Sequence, residues 1–63
     1  MLRINLKKYR NKQGLTQEAL SRRADISYNT IIKLESGAIA DPRMNTLRQL
    51  ASALGVSIDK LIN

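Results

Sequence analysis

Between Thr16 and Ser36 the apolar residues Leu20, Ala24, Ile26, Ile31 and Leu34 converge on one core if two short helices meet at a sharp turn. The spacing predicts a helix over about 17–24 and a second over about 27–36. The break between them, Ala24-Asp25-Ile26, is too short to be a loop. Thr16 and Ser27 stand just before the two runs, where a side-chain oxygen can accept an orphan backbone N–H of the first helical turn. Tyr28, Asn29, Ile32, Lys33 and Ser36 then form an outward stripe on the second helix, the expected working surface.

The flanks carry helical periodicity as well. Residues 2 to about 13 place Leu2, Leu6 and Tyr9 on one face, with Arg3, Lys7, Lys8 and Lys12 mostly on others. Gly14 suits the left-handed position after a helix, and Leu15 turns the chain back inward. Gly37 ends the helix that starts at Ser27, and Ala38-Ile39-Ala40-Asp41-Pro42 forms a loop. From about Met44 to Leu54, the residues Leu47, Leu50, Ala51 and Leu54 repeat at helical spacing until Gly55 stops the run. Ser57 caps a last short helix through Ile58, Leu61 and Ile62. The expectation is an all-α, compact five-helix fold with a helix-turn-helix at its centre. Residues 1–63 form a single domain, with no repeat, linker or low-complexity tract.

Composition narrows the chemistry. At 63 residues the chain is close to the lower limit for a core without covalent or metal staples. It has no Cys and no His, which removes disulfides, the usual zinc ligand sets and Cys-His or Ser-His nucleophiles. Its five carboxylates are scattered and no glycine-rich phosphate loop is present, so neither an enzyme nor a cofactor or metal site is expected. The two aromatic residues are both Tyr, which suits an aliphatic helical core.

Charge adds a direction. Residues 1–33 hold eight basic and two acidic side chains, a net of +6, whereas residues 34–63 hold three of each and balance. A lopsided positive field favours a polyanionic partner through long-range steering. A basic amphipathic first helix could also lie on an anionic membrane. Its apolar stripe is narrow, however, and the rest of the chain offers it a core to cover. No apolar run approaches the ~20 residues needed to span a bilayer, and MLRINLKKYR lacks the apolar stretch of a signal peptide. The expected location is cytoplasmic, with no membrane partner.

The motifs GLTQEAL, the Ile31, Leu34, Glu35 and Gly37 pattern, and LASALGVSIDKLI near the end together resemble the Cro/repressor (xenobiotic-response-element) family of helix-turn-helix regulators, across nearly all of the chain. Two positions depart from the family pattern. Ser21 stands where a small Ala usually lets the helices approach, and Asp25 where Gly usually makes the turn. Ser is small enough, and Asp tolerates the left-handed conformation better than most residues, so a positive φ is expected at Asp25.

The resemblance implies a lambda-repressor-like DNA-binding fold whose second motif helix enters the major groove of double-stranded DNA. It puts Ser27, Tyr28, Asn29, Ile32 and Lys33 on base-facing positions. Asn29 could pair with adenine N6 and N7, and Lys33 could donate to guanine O6 and N7. Tyr28 could reach a base or a phosphate; Ile32 either meets a thymine methyl or belongs to the edge of the core. Phosphate contacts would come from Arg10, Thr16, Gln17, Ser36 and Arg43, the start of the first motif helix at Gln17 being favoured by free N–H groups and the helix dipole. The resemblance also implies an ion pair between Arg10 and Glu35. The loop at 38–42 lacks the Lys or Arg often found there in the family. Ile39 is then either a protein contact or locally packed.

The function so implied is a sequence-specific transcriptional regulator, a repressor binding DNA as a homodimer through Ile58, Leu61 and Ile62, with Ile39. Two other readings keep the same fold: a DNA-binding antitoxin with a toxin as protein partner, and an adaptor that binds an effector domain and no DNA.

Overall fold

The computed structural model describes residues 1–63 and consists of five helices: α1 (Leu2–Lys12), α2 (Gln17–Ala24), α3 (Tyr28–Ser36), α4 (Met44–Leu54) and α5 (Ile58–Ile62). The expected element order holds, with boundaries within about one residue. Helix α3 packs on α1 and α2, while α4 and α5 close the other side against α2 and α1.

Leu6, Leu20, Ile31, Leu34, Leu50 and Leu61 are completely buried, and Ala24, Ala51 and Leu54 join them in one core. Every helix contributes at least one of these residues, so no helix can leave without exposing the others. Removing each large side chain from water stabilises the fold by ~1.5–3 kcal/mol. The molecule measures only 21 × 21 × 19 Å.

Three of the helix ends close in the same way. The N–H of Leu15 bonds the carbonyl of Arg10, Ile26 that of Ser21, and Val56 that of Ala51, each at 3.0 Å. In each case a left-handed residue precedes the donor: Gly14, Asp25 and Gly55. Leu15, Ile26 and Val56 then pack onto the core. This is the Schellman pattern, in which a 6→1 hydrogen bond and an apolar residue seal a helix end. Asp25, at φ 56°, performs the task for which the other two ends use glycine, as the turn required.

Three helix starts, those of α2, α3 and α5, are equally local. Thr16 Oγ1 accepts from Ala19 N, Ser27 Oγ from Thr30 N, and Ser57 Oγ from Lys60 N. Ser21 is buried, and its hydroxyl donates to the Glu18 carbonyl at 2.6 Å. The departure from Ala is thus accommodated without an unpaired polar group.

Helix α1 also ties down its neighbours. Asn5 Nδ2 donates to the Leu61 carbonyl and Gln13 Nε2 to the Leu54 carbonyl, pairing acceptors in the last turns of α5 and α4. No helix is long and apolar enough to cross a membrane.

Candidate nucleic-acid interface

The outward stripe of α3 begins at a capped N-terminus. Ser27, in an extended conformation, accepts from Thr30 N at 3.2 Å and shares a 2.7 Å hydrogen bond with the Thr30 hydroxyl. Beyond it Tyr28, Asn29, Ile32 and Lys33 are all exposed, and none of their side chains makes a hydrogen bond or ion pair within the domain. Ile32 is 37% exposed and lies outside the core cluster.

The other end of α3 is tethered. Glu35 is buried, and its carboxylate receives Arg10 Nε at 2.6 Å on Oε2 and Arg10 Nη2 at 2.9 Å on Oε1. The expected ion pair is present in the bidentate form that suits a guanidinium and a carboxylate. Arg10 Nη1 donates to the Leu15 carbonyl at 2.8 Å, and Gln17 Nε2 donates to Glu35 Oε1 at 3.1 Å. One carboxylate therefore fastens α1, the start of α2 and the end of α3 together. The hydrogen bonding of Arg10 to the Glu35 carboxylate, opposed by desolvation and reinforced by the carboxylate charge, raises the Arg10 pKa above the ordinary arginine value.

This arrangement corrects several expectations about individual side chains. Arg10 directs all three of its guanidinium nitrogens inward and its side chain is 12% exposed, so it is an anchor rather than a free phosphate ligand. Ser36 donates to the Lys33 carbonyl and accepts from Ala38 N, closing its own helix end. Leu61 is completely buried and cannot offer a surface to a second subunit. Ile39 and Ile58 are half-buried and pack against the core, which leaves Ile62 as the exposed apolar residue of α5.

Thr16, Gln17 and Arg43 each retain polar groups that the domain does not use. The Thr16 oxygen accepts a backbone N–H, leaving the hydroxyl proton to donate outward. The Gln17 amide uses one donor on Glu35 and retains a second N–H and its carbonyl oxygen. Arg43 is exposed just ahead of α4, with no side-chain bond to the domain. The link from Gln17 to Glu35 has no sequence signature, since the partners stand on different helices and meet through a rotamer rather than a period.

A capped helix start bearing unengaged polar groups, set on a rigid three-helix junction in a basic domain, is the architecture of a DNA-reading module. The chain belongs to the helix-turn-helix family of the Cro/repressor type, whose pattern matches residues 6–61, and is a DNA-binding transcription-regulator domain. It is 40% identical over 58 residues to an uncharacterized HTH-type transcriptional regulator of Sinorhizobium fredii, covering 92% of this chain and 74% of that protein. A regulator of the same description from Methanocaldococcus jannaschii is 35% identical over 60 residues, covering 95% and 89%. A Mycobacterium tuberculosis protein bearing the antitoxin name HigA2 is 37% identical over 56 residues, and the chain spans 55% of its length.

Proposed function

We propose that the chain is a sequence-specific repressor that occupies promoter DNA as a homodimer, with α3 in the major groove. The observation that carries this reading is the contrast along α3: exposed, unbonded Tyr28, Asn29, Ile32 and Lys33 beside a buried, fully bonded Glu35. Asn29 reads adenine through N6 and N7, Lys33 donates to guanine, Ile32 meets a thymine methyl, and Ser27 and Tyr28 border the same base edges. Thr16, Gln17 and Arg43 grip phosphate.

Size supports a dimer. A body 21 Å across cannot reach two successive major-groove faces, which lie one helical turn or ~34 Å apart. Two copies meeting at Ile62, with Ile58 and Ile39 at the edge, would cover both half-sites. The reading puts the site of action on cytoplasmic, nucleoid DNA. Selection from random-sequence duplex DNA, followed by footprinting of the selected duplex, tests it. Two protected half-sites with dyad symmetry are expected, whereas a single half-site would contradict the dimer and failure to enrich any sequence would contradict the reading as a whole.

The similarity to the protein named as an antitoxin favours one second reading, in which the same DNA-binding domain also binds a toxin. A stable protein that co-purifies with the chain and changes its affinity for the selected duplex would support it.

A further inference from the structure

The first half of the chain carries the whole net positive charge, yet the reading residues above use only Lys33 of it. The loop 38–42, between α3 and α4, has no cation. Arg3, Lys7 and Asn11 lie at i, i+4 and i+8 on α1 and therefore form one line along its surface. With Ile4, Lys8 and Glu35 they line an open groove of about 230 Å³. Arg3, Lys7 and Lys8 are exposed and have no carboxylate partner, because Arg10–Glu35 is the one ion pair in the molecule. Glu35, the sole carboxylate of the groove wall, is already neutralised by Arg10, and its side chain is 2% exposed. The groove is thus cationic, with its one acid silenced.

Its position relates it to α3. At one end the Arg3 stem lies over Gly37, where an added Cβ would stand 3.2 Å from Arg3 Cδ. At the other end Asn11 adjoins Arg10, which is bonded to Leu15 and, through Glu35, to Gln17. The line therefore runs beside α3, from its C-terminal end toward the start of α2. An α-helix with its side chains is about 10–12 Å across, and the B-DNA major groove is about 12 Å wide. A helix seated there fills the groove, so elements flanking that helix face the phosphate backbone.

We propose that Arg3 and Lys7, with Asn11 as a neutral donor, form a phosphodiester-binding groove on α1 that grips the DNA backbone outside the bases read by α3. This rests on the DNA-binding reading of α3. It assigns the surplus charge of α1 to a specific contact and supplies a grip for which the loop at 38–42 has no cation.

The test compares the full chain with the double variant Arg3→Gln and Lys7→Gln on the selected duplex and on random-sequence duplex. The Arg48→Gln and Lys60→Gln double variant, on α4 and α5, removes the same charge elsewhere. Two lost phosphate contacts should flatten the log-affinity versus log-salt slope by about 1.8. Over a fourfold rise in salt, the α1 variant should therefore lose about 12-fold less affinity than the parent. Ethylation interference should lose signals at phosphates outside the read bases, while preference among base sequences stays unchanged.

An equal slope change in the Arg48 and Lys60 control would overturn the groove, because net charge alone would account for it. So would an unchanged slope in an α1 variant that still binds DNA, as judged with Lys7→Gln alone should Arg3→Gln disturb packing on Gly37. Failure of the parent to bind any duplex would overturn the DNA-binding reading and this inference together, and that outcome is distinct from the other two.

Discussion

The two ends of α3 obey opposite rules. From Ser27 to Lys33 the outward side chains are exposed, and Tyr28, Asn29, Ile32 and Lys33 bond to nothing in the domain. From Glu35 to Gly37 every polar side chain is engaged, and the buried carboxylate collects three donors from two other elements. The difference shows how a nine-residue helix can be both a rigid object and a free surface. One end is held so that the helix backbone is already in place at the other, while the free side chains keep their rotamer freedom until they meet a partner.

The largest test attacks the held end. Glu35→Ala would leave Arg10 charged with its partner gone and release Gln17, a change expected to cost ~3–5 kcal/mol. A chain of this size has roughly 3–9 kcal/mol of total stability, so thermal unfolding should show a domain near or beyond its limit. A loss below ~1 kcal/mol, the value of a solvated surface pair, would show that the junction does not hold α3.

A smaller effect is expected at the start of the free end. Ser27→Ala removes the cap oxygen that accepts from Thr30 N and should cost about 1 kcal/mol in thermal unfolding. No loss would mean that water satisfies the first turn equally well and that the N-terminal geometry of α3 is not fixed by its cap.

The smallest concerns the turn that joins the motif helices. Asp25 holds a positive φ that glycine adopts without steric cost, so Asp25→Gly should be neutral or stabilising by at most ~1 kcal/mol. A clear drop in melting temperature would indicate that the Asp25 side chain, and not only its backbone, supports the turn.

What could be read from the sequence follows the same division between local and non-local physics. Caps, helix periods and the left-handed turn at Asp25 depend on residues within five positions of one another, and the structure has them as expected. The Arg10–Glu35 pair became legible through family resemblance, not through spacing. Asn5 and Gln13, which pair carbonyls on α5 and α4, and Gln17, which joins the carboxylate, carry no periodic signal. Their long polar side chains find partners only once the helices are packed.

The burial of Leu61 is hidden in the sequence for a related reason. Ile58, Leu61 and Ile62 span an arc of about 100° on a helix of this pitch, so all three can look like one stripe. The packing of α1 and α4 on α5 selects Leu61 for the core and leaves Ile62 outside. A five-residue helix is too short for periodicity to make that choice.

The claim that the free end reads bases is tested most directly by Asn29→Ala, measured on the selected duplex and on random-sequence duplex at the same salt concentration. Loss of a bidentate contact predicts a cost of ~1–3 kcal/mol on the selected duplex, almost none on random DNA, and relaxed preference at one base pair in each half-site. An equal loss on every sequence would make Asn29 a backbone contact and contradict the account of α3 as a reading helix in this register.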